Sequence, residues 1–147
     1  MTLCLSHALC KWILLFLNFE NAETEISQLH FPMPKYQVYV IELSKRVFTE
    51  HARFREANPQ FIGVVECLYV GMTSKTPEER FKQHMTGYMS KRGFNISSRL
   101  VKMYGRYLRP SLYEPVNVKP MNKKEALAME EKLALDLRRQ GYAVWFN

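Results

Sequence analysis

Cysteine is scarce in this 147-residue chain: Cys4, Cys10 and Cys67 make an odd count with no metal-ligand spacing. That excludes a disulfide framework and a thiolate zinc site, and it points to a reducing, cytoplasmic setting. The four histidines (His7, His30, His51, His84) show no paired spacing either. No internal repeat is present. The longest apolar stretch, Ala8–Phe19, is interrupted by Lys11 and Asn18. It is too short for a membrane span, which needs about 20 residues, so no membrane partner is expected. As a secretion signal it lacks a positive start and a clear cleavage site, with Asn21-Ala22-Glu23 only a weak candidate. Acidic residues are nearly missing from one long segment, Lys75–Arg109, where only Glu78 and Glu79 occur.

What that segment does contain is nine Lys/Arg: Lys75, Arg80, Lys82, Lys91, Arg92, Arg99, Lys102, Arg106 and Arg109. Its net charge of +7 equals that of the whole chain, so the remainder sums to zero. Phe81, Tyr88, Phe94, Tyr104 and Tyr107 are interleaved with the cations. Concentrated positive charge with nearby aromatics suits a polyanion surface, where phosphates meet cations and bases stack. A solvated basic face on an ordinary soluble protein is the plainer reading. A hydrophobic content of 47% and an aromatic content of 13% argue for one folded domain rather than disorder.

Residues 1–34 look separate from the rest: an apolar stretch, a polar one (Asn21–Gln28), then Phe31-Pro32-Met33-Pro34 as a linker. They are expected to be a dispensable extension, with a secreted or anchored form as the alternative. From residue 35 the pattern becomes regular. Tyr36–Leu43 and Gly63–Val70 read as strands, and the charged Ser44–Gln60 stretch carries one short helix near Glu50–Glu56. Thr76-Pro77-Glu78-Glu79 is a helix start, with Thr as cap, Pro at the first position and Glu closing a capping box; Gly87 stops that helix. Asn95–Tyr104 reads as a second helix, Leu112–Val118 as extended, Asn122–Gln140 as a capped helix and Tyr142–Phe146 as a last strand. The expected fold is α+β, a small mixed or antiparallel sheet flanked by helices in the order ββααβαβ.

Chemistry is suggested by two helix faces and two strands. On the last helix, Ala126, Leu127, Leu133, Ala134 and Leu137 share one stripe at about 100° per residue. Glu130 falls inside that stripe, whereas Glu131 points away. An inward carboxylate is costly unless compensated, either by a lysine at the rim or by a divalent cation. On the earlier helix Arg80, His84 and Tyr88 recur every four residues, which places a guanidinium and an imidazole on one face. The strand-like runs each carry a tyrosine, Val38-Tyr39-Val40 and Tyr69-Val70-Gly71. A phenol relays a proton and a guanidinium holds a phosphate through paired hydrogen bonds, a combination suited to phosphodiester chemistry.

Taken in order, these motifs resemble the GIY-YIG nuclease superfamily. Tyr39 matches the first motif's tyrosine, Tyr69 and Gly71 match the second motif, and Arg80 follows Gly71 by nine residues, with His84 at a spacing also common there. Glu130 in Glu125-Ala126-Leu127-Ala128-Met129-Glu130 looks like the family's glutamate helix, and Asn147 closes Trp145-Phe146-Asn147 like its aromatic-Asn ending. The resemblance covers about Tyr36 to Asn147, making 35–147 a GIY-YIG-like nuclease domain. Two features depart from the family. Gln37-Val38 replaces Gly-Ile, and Tyr39 and Tyr69 stand 30 residues apart where a short hairpin is usual. Residues 44–63 are therefore expected to bulge out as an insertion that covers the cleft, sets substrate choice or binds a partner.

The resemblance implies a metal-dependent endonuclease acting on nucleic acid, with DNA the expected substrate. It implies one Mg²⁺ or Mn²⁺ held by Glu130, Tyr39 with Tyr69 working on the attacking water, and Arg80 neutralising phosphate charge. His84 would assist proton transfer or bind phosphate, Asn147 would fix Tyr39 or Glu130, and Gly71 would let backbone approach the phosphate. Lys75, Lys82, Lys91, Arg92, Arg99, Lys102 and Arg106 would carry the nucleic acid. The alternative is a catalytically inactive nucleic-acid-binding module of the same fold, which accounts for the basic segment but not for an inward Glu130.

Overall fold

Val, Ile and Tyr favour extended backbone, and both tyrosine-bearing runs form strands. In a computed structural model, which describes residues 35–93 and 97–146, they are β1 (Gln37–Leu43) and β2 (Cys67–Thr73). The expectations placed on residues 1–34 and on Asn147 lie outside the described residues. β1 and β2 pair antiparallel over seven rungs, from Gln37 opposite Thr73 to Leu43 opposite Cys67. β3 (Gly105–Leu108) runs antiparallel along the other edge of β1, and β4 (Ala143–Trp145) lies parallel to β2. The strand order is β3-β1-β2-β4, a mixed four-stranded sheet in an α+β fold. Near-complete burial of Val38 to Leu43 and Cys67 to Val70 matches their unbroken apolar character, since both faces are covered.

Six α-helices flank this sheet among the described residues: α1 (Arg46–Glu50), α2 (Ala52–Glu56), α3 (Pro77–Thr86), α4 (Arg99–Tyr104), α5 (Pro110–Tyr113) and α6 (Lys123–Arg139). Local chemistry fixes the ends of the two long ones. Thr76 and Glu79 form the capping box that opens α3, and Gly87 closes it at φ 72°, a left-handed conformation that favours glycine. Asn122 and Glu125 open α6 in the same way. The buried face of α6 is Ala126, Glu130, Leu133, Ala134 and Leu137, set against β1, β2 and β4. Leu127 is exposed instead of joining that stripe. No helix among the described residues is long and apolar enough to cross a membrane.

Three expectations need correcting. The extended segment expected at Leu112–Val118 is α5 followed by a 3₁₀ turn at Glu114–Val116, and the strand lies earlier, at Gly105–Leu108. Pro110 and Pro115 both sit in first turns, where a missing N–H costs nothing. The helix expected over Asn95–Tyr104 begins at Arg99, capped by the Ser98 hydroxyl. The 44–63 segment does not bulge out: it makes two short helices and enters the core. Val47, Phe54 and Asn58 are fully buried. Phe54 stacks on Trp145 with ring centroids 6.4 Å apart. Asn58 accepts from the Val144 N–H at 2.7 Å and donates to the Phe54 carbonyl at 2.8 Å. The apolar residues Val47, Phe48, Phe54 and Phe61 outweigh the charges between them and draw the segment inward. The order is thus βααβααβααβ rather than ββααβαβ.

Deleting the Phe54 ring should therefore behave as core deletion. Phe54→Ala is expected to lower unfolding free energy by about 3–5 kcal/mol in urea denaturation. A loss under about 1 kcal/mol, the range of surface substitutions, would make the segment a loose cover.

Candidate active site

Alternation along a strand puts residues i and i+2 on one face, and directly opposed residues share a face. Tyr39 stands opposite Gly71 and Ile41 opposite Tyr69, so the two tyrosines and the glycine lie on the same side of the sheet. A Cβ on Gly71 would sit 2.5 Å from the Tyr39 hydroxyl oxygen and 2.7 Å from its ring carbon Cζ. Gly71 is thus the bed on which the Tyr39 ring lies, a closer reason for glycine than approach of backbone to a ligand.

His84 completes a ring cluster from the last turn of α3. Its centroid is 6.0 Å from that of Tyr39 and 5.6 Å from that of Tyr69, and the tyrosine centroids are 6.2 Å apart. His84 Nε2 and the Tyr39 hydroxyl are hydrogen-bonded at 2.7 Å. On the other side of the imidazole, the Ser98 backbone N–H donates to Nδ1 at 2.7 Å. An N–H donor fixes Nδ1 as an acceptor, so the neutral ring carries its proton on Nε2 and donates to Tyr39. Burial, then the Arg80 charge, pulls the His84 pKa down to about 4, which keeps the ring neutral at pH 7. The Tyr39 hydroxyl is pushed in the other direction. Burial raises its pKa most, Tyr69 raises it further, and Arg80 opposes both.

Arg80 lies one turn before His84, half-buried, with Nη1 donating to Gln83 Oε1 at 3.2 Å. The third member expected on that face, Tyr88, falls beyond the end of α3 and is exposed. Glu130 is inward on α6, with 4% of its surface exposed, while Glu131 is exposed. Among the described residues no group of three His, Cys, Asp or Glu side chains could hold a metal ion. A single inward carboxylate still fits Mg²⁺, which keeps most of its waters and takes its remaining ligands from substrate phosphates.

The seven basic residues expected to carry nucleic acid, Lys75, Lys82, Lys91, Arg92, Arg99, Lys102 and Arg106, are all exposed. None of them forms an ion pair among the described residues. Arg109 is different. It bonds the buried Glu42 carboxylate at 2.6 Å and lies 3.4 Å from Glu66, so its charge is spent inside the fold. Tyr107 is likewise turned to Glu42, donating at 2.9 Å.

Two supporting residues escaped the sequence reading. Ser98 orients His84 through its backbone, which no side-chain pattern reveals; only its capping position before Arg99 was a clue. Asn117 accepts from the Val38 N–H at 3.0 Å and donates to the Val38 carbonyl at 2.8 Å, fixing the backbone next to Tyr39. No protein-family model matches the chain, and neither the curated proteins nor the solved structures include a match to it.

The depressed His84 pKa has a defined sign. The unfolded imidazole, near 6.5, binds a proton that the folded one refuses until about pH 4. Stability should fall as pH drops from about 6.5 to about 4, by up to about 3 kcal/mol. Urea denaturation at pH 7 and pH 4.5 checks this, with His84→Gln expected to flatten the dependence. Equal flatness in the wild type would contradict a buried neutral imidazole.

Proposed function

We propose that the chain is a divalent-metal-dependent endonuclease of the GIY-YIG kind, hydrolysing phosphodiester bonds in nucleic acid, with DNA as the substrate. The observation that carries this reading is the Ser98–His84–Tyr39 hydrogen-bond chain set beside Tyr69 and Arg80. The chain sets an imidazole proton against a tyrosine oxygen at the positions that the resemblance assigns to the reaction.

The chain's own residues divide the work as follows. The neutral His84 holds the Nε2 proton against the Tyr39 oxygen, favouring negative charge there. Burial keeps Tyr39 protonated at rest, so a further positive charge has to arrive before it can accept a proton from water. Arg80 lowers the Tyr39 pKa and meets the charge that builds on the phosphate. Glu130 supplies the inward carboxylate for Mg²⁺ or Mn²⁺. When bound, the cation supplies Lewis-acid stabilisation of the phosphate and of the leaving oxygen. Asn147 is assigned by resemblance to hold Tyr39 or Glu130. The exposed lysines and arginines of α3, α4 and the loop between them hold the backbone by charge.

A second reading, a nucleic-acid-binding module that does not cut, is favoured by one fact: Tyr39 and Tyr69 are each only 1% exposed. Substrate must displace what covers them before either can act. Cleavage assays separate the readings. Glu130→Gln should abolish Mg²⁺-dependent cleavage, by about 10²-fold or more, if removing one such stabilising group costs what it does elsewhere. Binding and folding should survive, and Glu131→Gln should cleave like wild type. Equal cleavage by both variants, or undiminished wild-type cleavage in EDTA, would refute the one-metal assignment. Binding without any cutting would favour the second reading.

The basic surface is tested separately. Replacing Lys91, Arg92, Arg99 and Lys102 with Ala should weaken binding and flatten its salt dependence, by roughly 0.9 in log–log slope for each phosphate of duplex DNA that is no longer neutralised. An unchanged slope would move the binding face elsewhere.

A further inference from the structure

We propose that the concavity between the C-terminal end of α6 and the Gln60 loop is a binding site for phosphate groups, separate from the tyrosine cluster. It is an open depression of about 600 Å³ lined by Gln60, Leu135, Arg138, Arg139 and Gly141. A phosphate ion fills only part of that space, so a phosphate together with the group attached to it can enter. The concavity belongs to the Cys67 end of β2, because Gly141 lies two residues before Ala143, the partner of Cys67. Cys67 is four residues from Gly71 along the strand, about 13 Å at 3.3 Å per residue.

Arg138 supports the assignment by what it has and what it lacks. Its Nη2 donates to the Val144 carbonyl at 2.8 Å, and its guanidinium lies over the Phe146 ring at 5.2 Å. Those two contacts hold the planar group in one place. No carboxylate pairs with it among the described residues, and its buried Nε has no hydrogen-bond partner. Desolvation lowers its pKa. A pre-positioned guanidinium with no carboxylate partner among the described residues suits an oxyanion, through charge-assisted hydrogen bonds. Neighbouring Arg139 adds positive charge, partly offset by its bond to Asp136.

The end of a helix is an unfavourable place for an anion, because its free carbonyls carry partial negative charge. Here three of those carbonyls are occupied. Backbone N–H groups of Gln140, Gly141 and Tyr142 donate to Asp136, Leu137 and Arg138. Arg138 and Arg139, both in the last turn, oppose the partial charge that remains. Gln60, tied by Nε2 to the Tyr142 carbonyl at 3.0 Å, closes the opposite wall, and Leu135 offers apolar surface to whatever the phosphate carries.

The test uses the full chain and two probes, inorganic pyrophosphate and a single-stranded oligonucleotide, each followed by thermal shift and by titration calorimetry. Pyrophosphate should raise the Tm of wild type and of an Arg80→Ala/Glu130→Gln double variant alike, which separates this site from the tyrosine cluster. Arg138→Gln should weaken pyrophosphate binding about 10-fold or more, the loss expected for a charged hydrogen bond. Because Arg138 also braces Val144, Leu135→Glu serves as the second variant. It places a carboxylate three residues from Arg138 on an exposed position and should abolish binding without lowering the unliganded Tm appreciably. If oligonucleotide affinity falls in step, the phosphate belongs to a nucleic-acid backbone; if only pyrophosphate binding falls, the site takes a free phosphate compound. Pyrophosphate binding that is absent in wild type, unchanged in Leu135→Glu, or lost in the double variant overturns the proposal.

Discussion

Seven consecutive rungs join β1 to β2, and the register across them decides which face every side chain of both strands takes. A slip of one residue would send Tyr39 and Tyr69 to opposite sides of the sheet. The pairing of Tyr39 with Gly71 holds the register from within, because Gly71 is the residue of β2 over which the Tyr39 hydroxyl lies. Val70, Met72 or Tyr69 in its place would meet the ring with a side chain. With that rung fixed, His84 finds the tyrosine oxygen, α3 is held over the sheet, and Ser98 can reach the far nitrogen of the imidazole.

The buried polar side chains Glu42, Asn58 and His84 are each held by bonds. Glu42 enters the sheet as a charge on a strand otherwise apolar from Val38 to Leu43, and Arg109 and Tyr107 satisfy it. That arrangement divides the basic segment into cations that serve the fold and cations that face solvent. Arg109 is of the first sort, and its pKa is raised chiefly by its bond to Glu42. Asn58 and His84, both almost wholly buried, are satisfied on two sides. Burying such groups unpaired would cost more than their bonds contribute, so each one restricts the packing around it to few arrangements.

What the sequence made legible was local. The capping boxes at Thr76 and Asn122 and the stop at Gly87 need only four or five neighbouring residues to be read, and they placed α3 and α6 correctly. The inward position of Glu130 followed from helical period alone. The tyrosine runs were legible as strands because Val, Ile and Tyr leave few alternatives. What escaped reading was set by distant partners. Gly105–Leu108 is a strand because the edge of β1 is there to receive it, while its own four residues carry no pattern. The 44–63 segment looked polar in one dimension, and its burial depends on Trp145 near the other end of the chain. Ser98 acts through an amide that every residue but proline possesses.

Short sheets invite further strands from other molecules, since an outer strand presents unpaired N–H and C=O groups. Here side chains of the same chain occupy some of those groups, on β4 and on β1. Asn58 and Arg138 take the N–H and the C=O of Val144 on β4, and Asn117 takes both groups of Val38 where β3 no longer covers β1. Two asparagines and one arginine thus stand in for absent neighbouring strands. The sheet is closed to growth at these rungs without becoming a barrel, and copies of the chain are kept from zipping together edge to edge there.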